Sequence, residues 1–103
     1  MDTIIIKLDS EKLENPDLDI IYNLPERIEE YTNKKVNDNG YDYLLDIEIG
    51  LWFDADSEER YKSILKLIKN ERFSDNDLSK TAEIYISKKD TADINEWRKV
   101  YPL

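Results

Sequence analysis

The chain has 103 residues, with 24 Asp and Glu against 15 Lys and Arg, and it contains neither histidine nor cysteine. Without these two residue types it lacks the commonest general base near neutral pH, the commonest nucleophile–base pairs and the usual zinc and iron ligands. The length suits one domain with a modest core, and a hydrophobic fraction of 40% is enough to build that core. We therefore expect a single domain over residues 1–103, without a metal or other cofactor.

The negative charge is concentrated in the first half of the chain. Residues 1–50 hold 13 Asp and Glu against 5 Lys and Arg, a balance of −8, whereas residues 51–103 hold 11 against 10, a balance of −1. An acidic surface repels nucleic acid and anionic membranes and attracts basic partners. Solubility alone does not require such segregation, so the first half is predicted to carry an acidic binding face.

The sequence contains no targeting or membrane signal. Its first residues lack the basic region of a signal peptide, and no apolar run approaches the roughly 20 residues of a membrane helix. The absence of cysteine fits a reducing compartment. We expect a soluble, cytoplasmic protein.

Alternation of apolar and polar residues predicts strands at residues 3–8, 47–54 and 82–87, and a short edge strand at 98–101. A helix is predicted to begin at Asn23, before Leu24-Pro25, and to end near Asn33. Helical spacing predicts a second helix that ends near Asn70; its core stripe is Tyr61, Ile64, Leu65 and Ile68. The triplet at residues 38–40, Asp-Asn-Gly, predicts a turn.

The predicted order is therefore strand, helix, strand pair, helix, strand and a short tail. Two amphipathic helices with few strands predict an α+β fold, in which both helices pack on one face of a mostly antiparallel sheet. The closest named architecture is the ferredoxin-like β-α-β-β-α-β arrangement.

No motif in the chain predicts catalysis. Residues 54–58 read D-A-D-S-E, like the opening of a calcium loop, but the sixth and twelfth positions are Glu59 and Leu65 instead of Gly and Glu. The only glycines are Gly40 and Gly50, so a P-loop, a nucleophile elbow and a dinucleotide-binding glycine motif are all absent. We expect a protein that is not an enzyme.

The sheet face opposite the helices is a candidate contact surface. Ile5, Trp52 and Tyr85 would share it, and an exposed aromatic platform on a small domain often marks a protein contact. Stacking of single-stranded nucleic acid is the other use of such a face, but it needs a basic groove, which a net charge of −9 opposes. Alternatively, the C-terminal segment around Trp97 or Tyr101 covers this face.

Two segments, L-E-N-P-D-L-D-I-I-Y-N-L-P at residues 13–25 and N-G-Y-D-Y at residues 39–43, resemble short acidic bacterial proteins. Those proteins are immunity proteins of polymorphic toxin and contact-dependent growth inhibition systems. The resemblance implies a non-catalytic protein that binds a cognate toxin and blocks its active site or substrate access. It carries over no catalytic residue.

In the second segment, Gly40 permits a tight turn that positions Tyr41 and Tyr43. Tyrosine gives a large contact area at a low entropy cost, which suits interfaces. It can equally pin a connection onto the core, and we expect this second role for one of the two.

The leading hypothesis is an immunity protein that neutralises a basic toxin, such as a nuclease, and that binds neither nucleic acid nor membrane. The candidate partner-binding residues are Asp17, Asp19, Glu26, Glu29, Glu30, Tyr41, Tyr43, Trp52 and Tyr85. Two alternatives stay open at this point. One is a phage-type inhibitor that mimics nucleic acid to block a host nuclease, and the other is a regulatory ligand-binding or enzymatic α+β domain that uses carboxylates.

Overall fold

The computed structural model of the chain describes residues 2–15, 19–45, 47–88 and 96–102. The strands are β1 (Asp2–Asp9), β2 (Val36–Leu45), β3 (Glu48–Ala55), β4 (Glu83–Ser87) and β5 (Arg98–Tyr101). The main helices are α1 (Ile20–Tyr31) and α2 (Tyr61–Asn70). Short 3₁₀ turns lie at Ser10–Lys12, Glu58–Arg60 and Leu78–Lys80.

The five strands form one antiparallel sheet in the order β2-β3-β1-β4-β5. β1 lies at its centre, where Ile4 pairs with Phe53 on β3 and with Ile86 on β4. The first four strands and the two helices follow the order β-α-β-β-α-β, so the predicted α+β class and ferredoxin-like architecture are confirmed. β5 adds the predicted edge strand beside β4.

The main core lies between one face of the sheet and the two helices. Successive side chains of a strand point to opposite faces, so every second residue of β1, β3 and β4 meets the helices. Its buried members include Ile4, Ile6, Leu8, Leu51, Phe53, Ile84 and Ile86 from the sheet, and Leu24, Ile28, Ile64 and Ile68 from the helices. The alternation read from the sequence therefore assigns the core face correctly.

The first helix begins one turn earlier than predicted. Asp19 is its N-cap, and the carbonyl of Asp19 accepts the backbone N–H groups of Tyr22 and Asn23 at 3.0 and 2.9 Å. Pro25 consequently lies inside α1, although proline has no N–H to continue the helical ladder. Ile20 and Ile21 are buried in this extra turn, and such tertiary packing supplies most of a helix's stability in proteins.

The turn predicted at residues 38–40 is wrong, because these residues lie inside β2. The pairing with β3 shifts between Asp38 and Tyr41, which marks a bulge. Gly40 has φ +96° there, and its N–H donates to the carboxylate of Asp38 at 2.9 Å. Gly40 thus has the positive φ expected of a turn residue, but this φ forms a bulge in an edge strand.

None of the helices in the described ranges combines the length and the hydrophobicity needed to cross a lipid bilayer.

Candidate functional site

The sheet face opposite the helices is covered by Trp97. Its ring centroid lies 5.6 Å from that of Trp52 and 5.7 Å from that of Tyr85, and Ile5 is fully buried beneath. Leu44 packs at the margin of the same cluster. The predicted open platform is therefore wrong, and the alternative, a cover formed around Trp97, is confirmed. Trp52 is only 8% exposed, so its side chain is not presented to a partner, and Tyr85 is half-buried against Trp97.

Three tyrosines form an exposed aromatic group elsewhere on the molecule. Tyr22, Tyr41 and Tyr43 are 61%, 44% and 53% exposed. The ring of Tyr41 lies edge to face against both of the others, with centroids 6.3 Å apart and planes at 84° in each pair. Neither Tyr41 nor Tyr43 packs into the core, so the expectation that one of them would do so is wrong.

Residues from two of the segments singled out in the sequence, 13–25 and 39–43, meet at this group. Tyr22 belongs to the first segment and Tyr41 to the second, and their rings are in contact. Tyr22 was missed as a candidate, because the helix was predicted to start after it. The available signal was its spacing of four residues from Glu26, which places both on the polar side of a helix that includes residue 22.

The fold explains why these rings are exposed. Tyr41 and Tyr43 pair with Leu51 and Ile49, which point toward the helices, so the two tyrosines point to the same side of the sheet. β2 is an edge strand, however, and although Val36 at its start is buried in the core, Tyr41 and Tyr43 are exposed. Tyr22 reaches them from the first turn of α1.

Carboxylates lie along the side of α1 that faces β2. Two contacts join α1 to β2. The Oε2 atom of Glu29 accepts the backbone N–H of Asp38 at 3.0 Å, and the ring of Tyr22 contacts the ring of Tyr41. Glu26 lies between Glu29 and Tyr22 on the helix and is exposed. We call this region the tyrosine–acid surface; it comprises Tyr22, Tyr41, Tyr43, Asp19, Glu26 and Glu29.

Glu30, another predicted residue, has a different environment. Its Oε1 atom is 3.0 Å from Nη1 of Arg27. Arg27 also donates two hydrogen bonds to Glu71, from Nε to Oε1 at 3.1 Å and from Nη2 to Oε2 at 2.9 Å. This network ties α1 to the end of α2. Glu30 nevertheless shares a shallow groove with Glu26, Glu29, Asn33 and Lys34. The remaining predicted carboxylate, Asp17, lies outside the described residues.

The neighbours of Tyr22 disfavour ionisation of its phenol. The pKa of the Tyr22 phenol is raised above its ordinary value, first by a hydrogen bond with Tyr41 and further by nearby negative charge that includes Asp19. The surface therefore places a phenol that resists ionisation, Tyr22, beside carboxylates. Such a combination binds cations and hydrogen-bond donors.

In the part of the chain that the structure describes, no group of three or more acidic side chains is arranged to hold a metal ion. Comparison with known protein families, curated proteins and solved structures finds no match to this chain. The functional inference therefore depends on the tyrosine–acid surface itself.

Proposed function

We propose that this chain is a non-catalytic, cytoplasmic immunity protein that binds and neutralises a basic bacterial toxin, such as a nuclease, through its tyrosine–acid surface. The observation that carries the proposal is the contact between Tyr22 and Tyr41. It unites the two segments that resemble immunity proteins in one exposed patch. That patch lies in the acidic half of the chain.

The exposed tyrosine cluster differs from the other described aromatic side chains, which are buried or partly buried. Tyr22, Tyr41 and Tyr43 are the only large hydrophobic residues classed as exposed among those described. Tyrosine is enriched among the few interface residues that dominate binding energy, because it buries a large area and loses little rotamer entropy. The cluster is therefore the best candidate for the centre of a protein interface.

The charge of the surface selects a basic partner. Glu26 is exposed and forms no ion pair with any described residue. With a net charge of −9, the whole chain accelerates encounters with a positively charged protein. A nuclease must be basic where it binds phosphate, and an acidic protein placed in that cleft would exclude the substrate.

The irregular edge of β2 favours recognition through side chains over addition of a partner strand. Its pairing with β3 shifts between Asp38 and Tyr41 and again between Tyr43 and Leu45. Bulges of this kind disturb the row of backbone groups that an incoming strand would need. Binding through the projecting tyrosines and carboxylates does not require a regular edge.

The experiment that tests the proposal uses the genomic neighbour. Immunity genes accompany toxin genes, so the product of the adjacent toxin-domain reading frame is co-expressed with this chain. Formation of a stable complex and protection of growth are the expected results. If neither a complex nor protection is seen, the proposal is wrong.

A further inference from the structure

We propose that the tyrosine–acid surface is a receptor for arginine side chains, so that a partner would present an arginine to the rings of Tyr22, Tyr41 and Tyr43. The inference rests on the proposed function and specifies the chemistry of the partner group that the surface takes. Three observations carry it: the lack of a described cation over these rings, the perpendicular geometry of the rings, and the contact of Arg27 with both a ring and carboxylates elsewhere in this chain.

The first observation concerns three of the chain's four other tyrosines, all except Tyr61. The Cζ atom of Arg27 lies 5.4 Å from the ring centroid of Tyr31. The Nζ atoms of Lys69 and Lys7 lie 5.7 and 5.9 Å from the ring centroids of Tyr101 and Tyr85, respectively. By contrast, no cation from the described residues lies over the rings of the exposed cluster. These three rings therefore have free faces for a cation supplied by another molecule.

The second observation is the geometry of the cluster. Both contacts of Tyr41 are edge to face, with planes at 84°. Stacked rings would hide their faces from each other, whereas perpendicular rings leave a face of at least one ring in each pair open. The open faces carry the negative part of the aromatic quadrupole, to which a guanidinium or ammonium group is attracted.

The third observation favours arginine over lysine. On α1, Arg27 lies over Tyr31 and is at the same time hydrogen-bonded to Glu30 and Glu71. Lys7 makes the same two kinds of contact, with the ring of Tyr85 and with Glu48 and Glu83. A guanidinium makes them from a planar group that stacks on a ring and directs several N–H groups at carboxylates, and this geometry is the reason for inferring arginine. The tyrosine–acid surface supplies rings with Asp19 and Glu26 nearby, so an incoming arginine would find the same two kinds of partner.

The test uses the full chain, ¹⁵N-labelled, and three short peptides in low salt. The peptides share the sequence Gly-X-Gly-X-Gly, where X is arginine, lysine or citrulline. Citrulline keeps the shape of arginine but has no charge. We expect the arginine peptide to bind most tightly and to shift the amide signals of residues 22 and 41–43. Equal binding of the citrulline peptide, equal binding of the lysine peptide, or shifts confined to other regions would overturn the proposal.

Two substitutions separate the role of the ring from that of the hydroxyl. Tyr41→Leu removes the aromatic face, and we expect it to weaken binding of the arginine peptide about two- to fivefold. Tyr41→Phe keeps the face but removes the hydroxyl that is hydrogen-bonded to Tyr22, so it should weaken binding less than Tyr41→Leu does. Both variants should keep the circular dichroism spectrum of the parent. If Tyr41→Leu binds the peptide as well as Tyr41→Phe does, the rings do not form the receptor.

Failure of this inference is distinguishable from failure of the proposed function. The peptide titrations need no toxin, and the co-expression experiment needs no arginine preference. A toxin complex that forms while the peptides fail to discriminate would overturn the arginine receptor alone. Discrimination by the peptides without any toxin complex would instead overturn the toxin partner and keep the receptor.

Discussion

The indole of Trp97 lies edge to face against the indole of Trp52, with ring centroids 5.6 Å apart and planes at 78°. Trp52 belongs to β3, whereas Trp97 immediately precedes β5, so the contact joins the C-terminal segment to the back of the sheet. Each indole is 8% exposed. The chain thus has a second, smaller hydrophobic cluster on the face opposite its helices.

Replacing Trp97 should open this second cluster. Trp97→Ala removes the ring that covers Trp52, and we expect a loss of about 3–5 kcal/mol in the free energy of unfolding, the usual cost of truncating a buried aromatic side chain. Urea denaturation measures that loss. The fluorescence of Trp52, then the sole tryptophan, should move to longer wavelength as water reaches it. Trp97→Phe is the control, with a smaller loss, and unchanged emission of Trp52 in the alanine variant would contradict this account.

Gly50 is needed because Trp52 lies across its backbone. A Cβ atom at Gly50 would be 2.6 Å from Cζ3 and 2.9 Å from Cη2 of Trp52. We expect Gly50→Ala to destabilise the fold by about 1–3 kcal/mol through overpacking. In a Trp52→Leu background those ring atoms are absent, so the same substitution should cost much less. An equal cost in both backgrounds, measured by urea denaturation, would show that the indole is not the cause.

A row of alternating charges crosses four strands on the face that carries Trp97. The Nζ atom of Lys7 on β1 lies 3.0 Å from Oε2 of Glu48 on β3 and 3.2 Å from Oε1 of Glu83 on β4. The Oε2 atom of Glu83 lies 2.8 Å from Nζ of Lys99 on β5. Burial opposes the charge of Lys7, but hydrogen bonds with Glu48 and Glu83 raise the pKa of Lys7 above its ordinary value. Burial alone would raise the pKa of Glu83, yet its hydrogen bonds with Lys99 and Lys7 lower it.

Lys7→Met should therefore destabilise the fold by about 1.5–3 kcal/mol, since it removes charge-assisted hydrogen bonds and leaves Glu48 and Glu83 without their shared cation. Lys62→Met is the matched control, because Lys62 pairs with Glu59 on an exposed helix surface. Urea denaturation at pH 7 measures both. Equal, small losses would show that the row of charges contributes little.

The same row gives a pH dependence of defined sign. The pKa of Glu83 is lower in the folded chain than its ordinary value of 4.5, so its contribution is fully present above pH 4.5 and disappears as the pH falls through the folded pKa. The destabilisation caused by Glu83→Gln should accordingly be constant near neutral pH and shrink below pH 4.5. A difference between variant and parent that grows on acidification would contradict this sign.

Asn76 joins two loops that are distant in sequence. It is 1% exposed; its side chain accepts the N–H of Asn15 at 2.8 Å and donates to the carbonyl of Asn15 at 2.7 Å. Asn76→Ala leaves these backbone groups without partners, and we expect a loss of about 2–3 kcal/mol in thermal or urea denaturation. Asn70→Ala, on the exposed side of α2, should change stability by less than about 0.5 kcal/mol. Similar losses in the two variants would contradict the structural role of Asn76.

The sequence predicts the sheet and the main core well because both depend on a local alternation. Ile4 and Ile6 face the helices while Ile5 faces the other way, as a period of two requires. The first turn of α1 was missed for a nonlocal reason. Proline at residue 25 disfavours a helix through that position, but the burial of Ile20 and Ile21 against the rest of the core stabilises it.

The candidate site was only partly predictable. The segment at residues 39–43 identifies Tyr41 and Tyr43, whereas Tyr22 becomes a neighbour of Tyr41 only when α1 packs beside β2. Trp52 and Tyr85 were correctly placed on one sheet face, yet no local pattern decides whether a later segment covers that face. Arg27 pairs with Glu30 at the local i,i+3 spacing of a helix, whereas its contact with Glu71 depends on tertiary packing.

The most direct test of the central claim is the rate at which a basic toxin partner associates with charge-reversal variants of this chain. Glu26→Lys lies within the tyrosine–acid surface, and Glu96→Lys makes the same change in charge beside the opposite edge strand, β5. By stopped-flow mixing at low salt, we expect Glu26→Lys to slow association roughly 2- to 10-fold more than Glu96→Lys does, with a weaker dependence on salt. Equal association rates for the two variants would place the interface away from the tyrosine–acid surface and contradict the account.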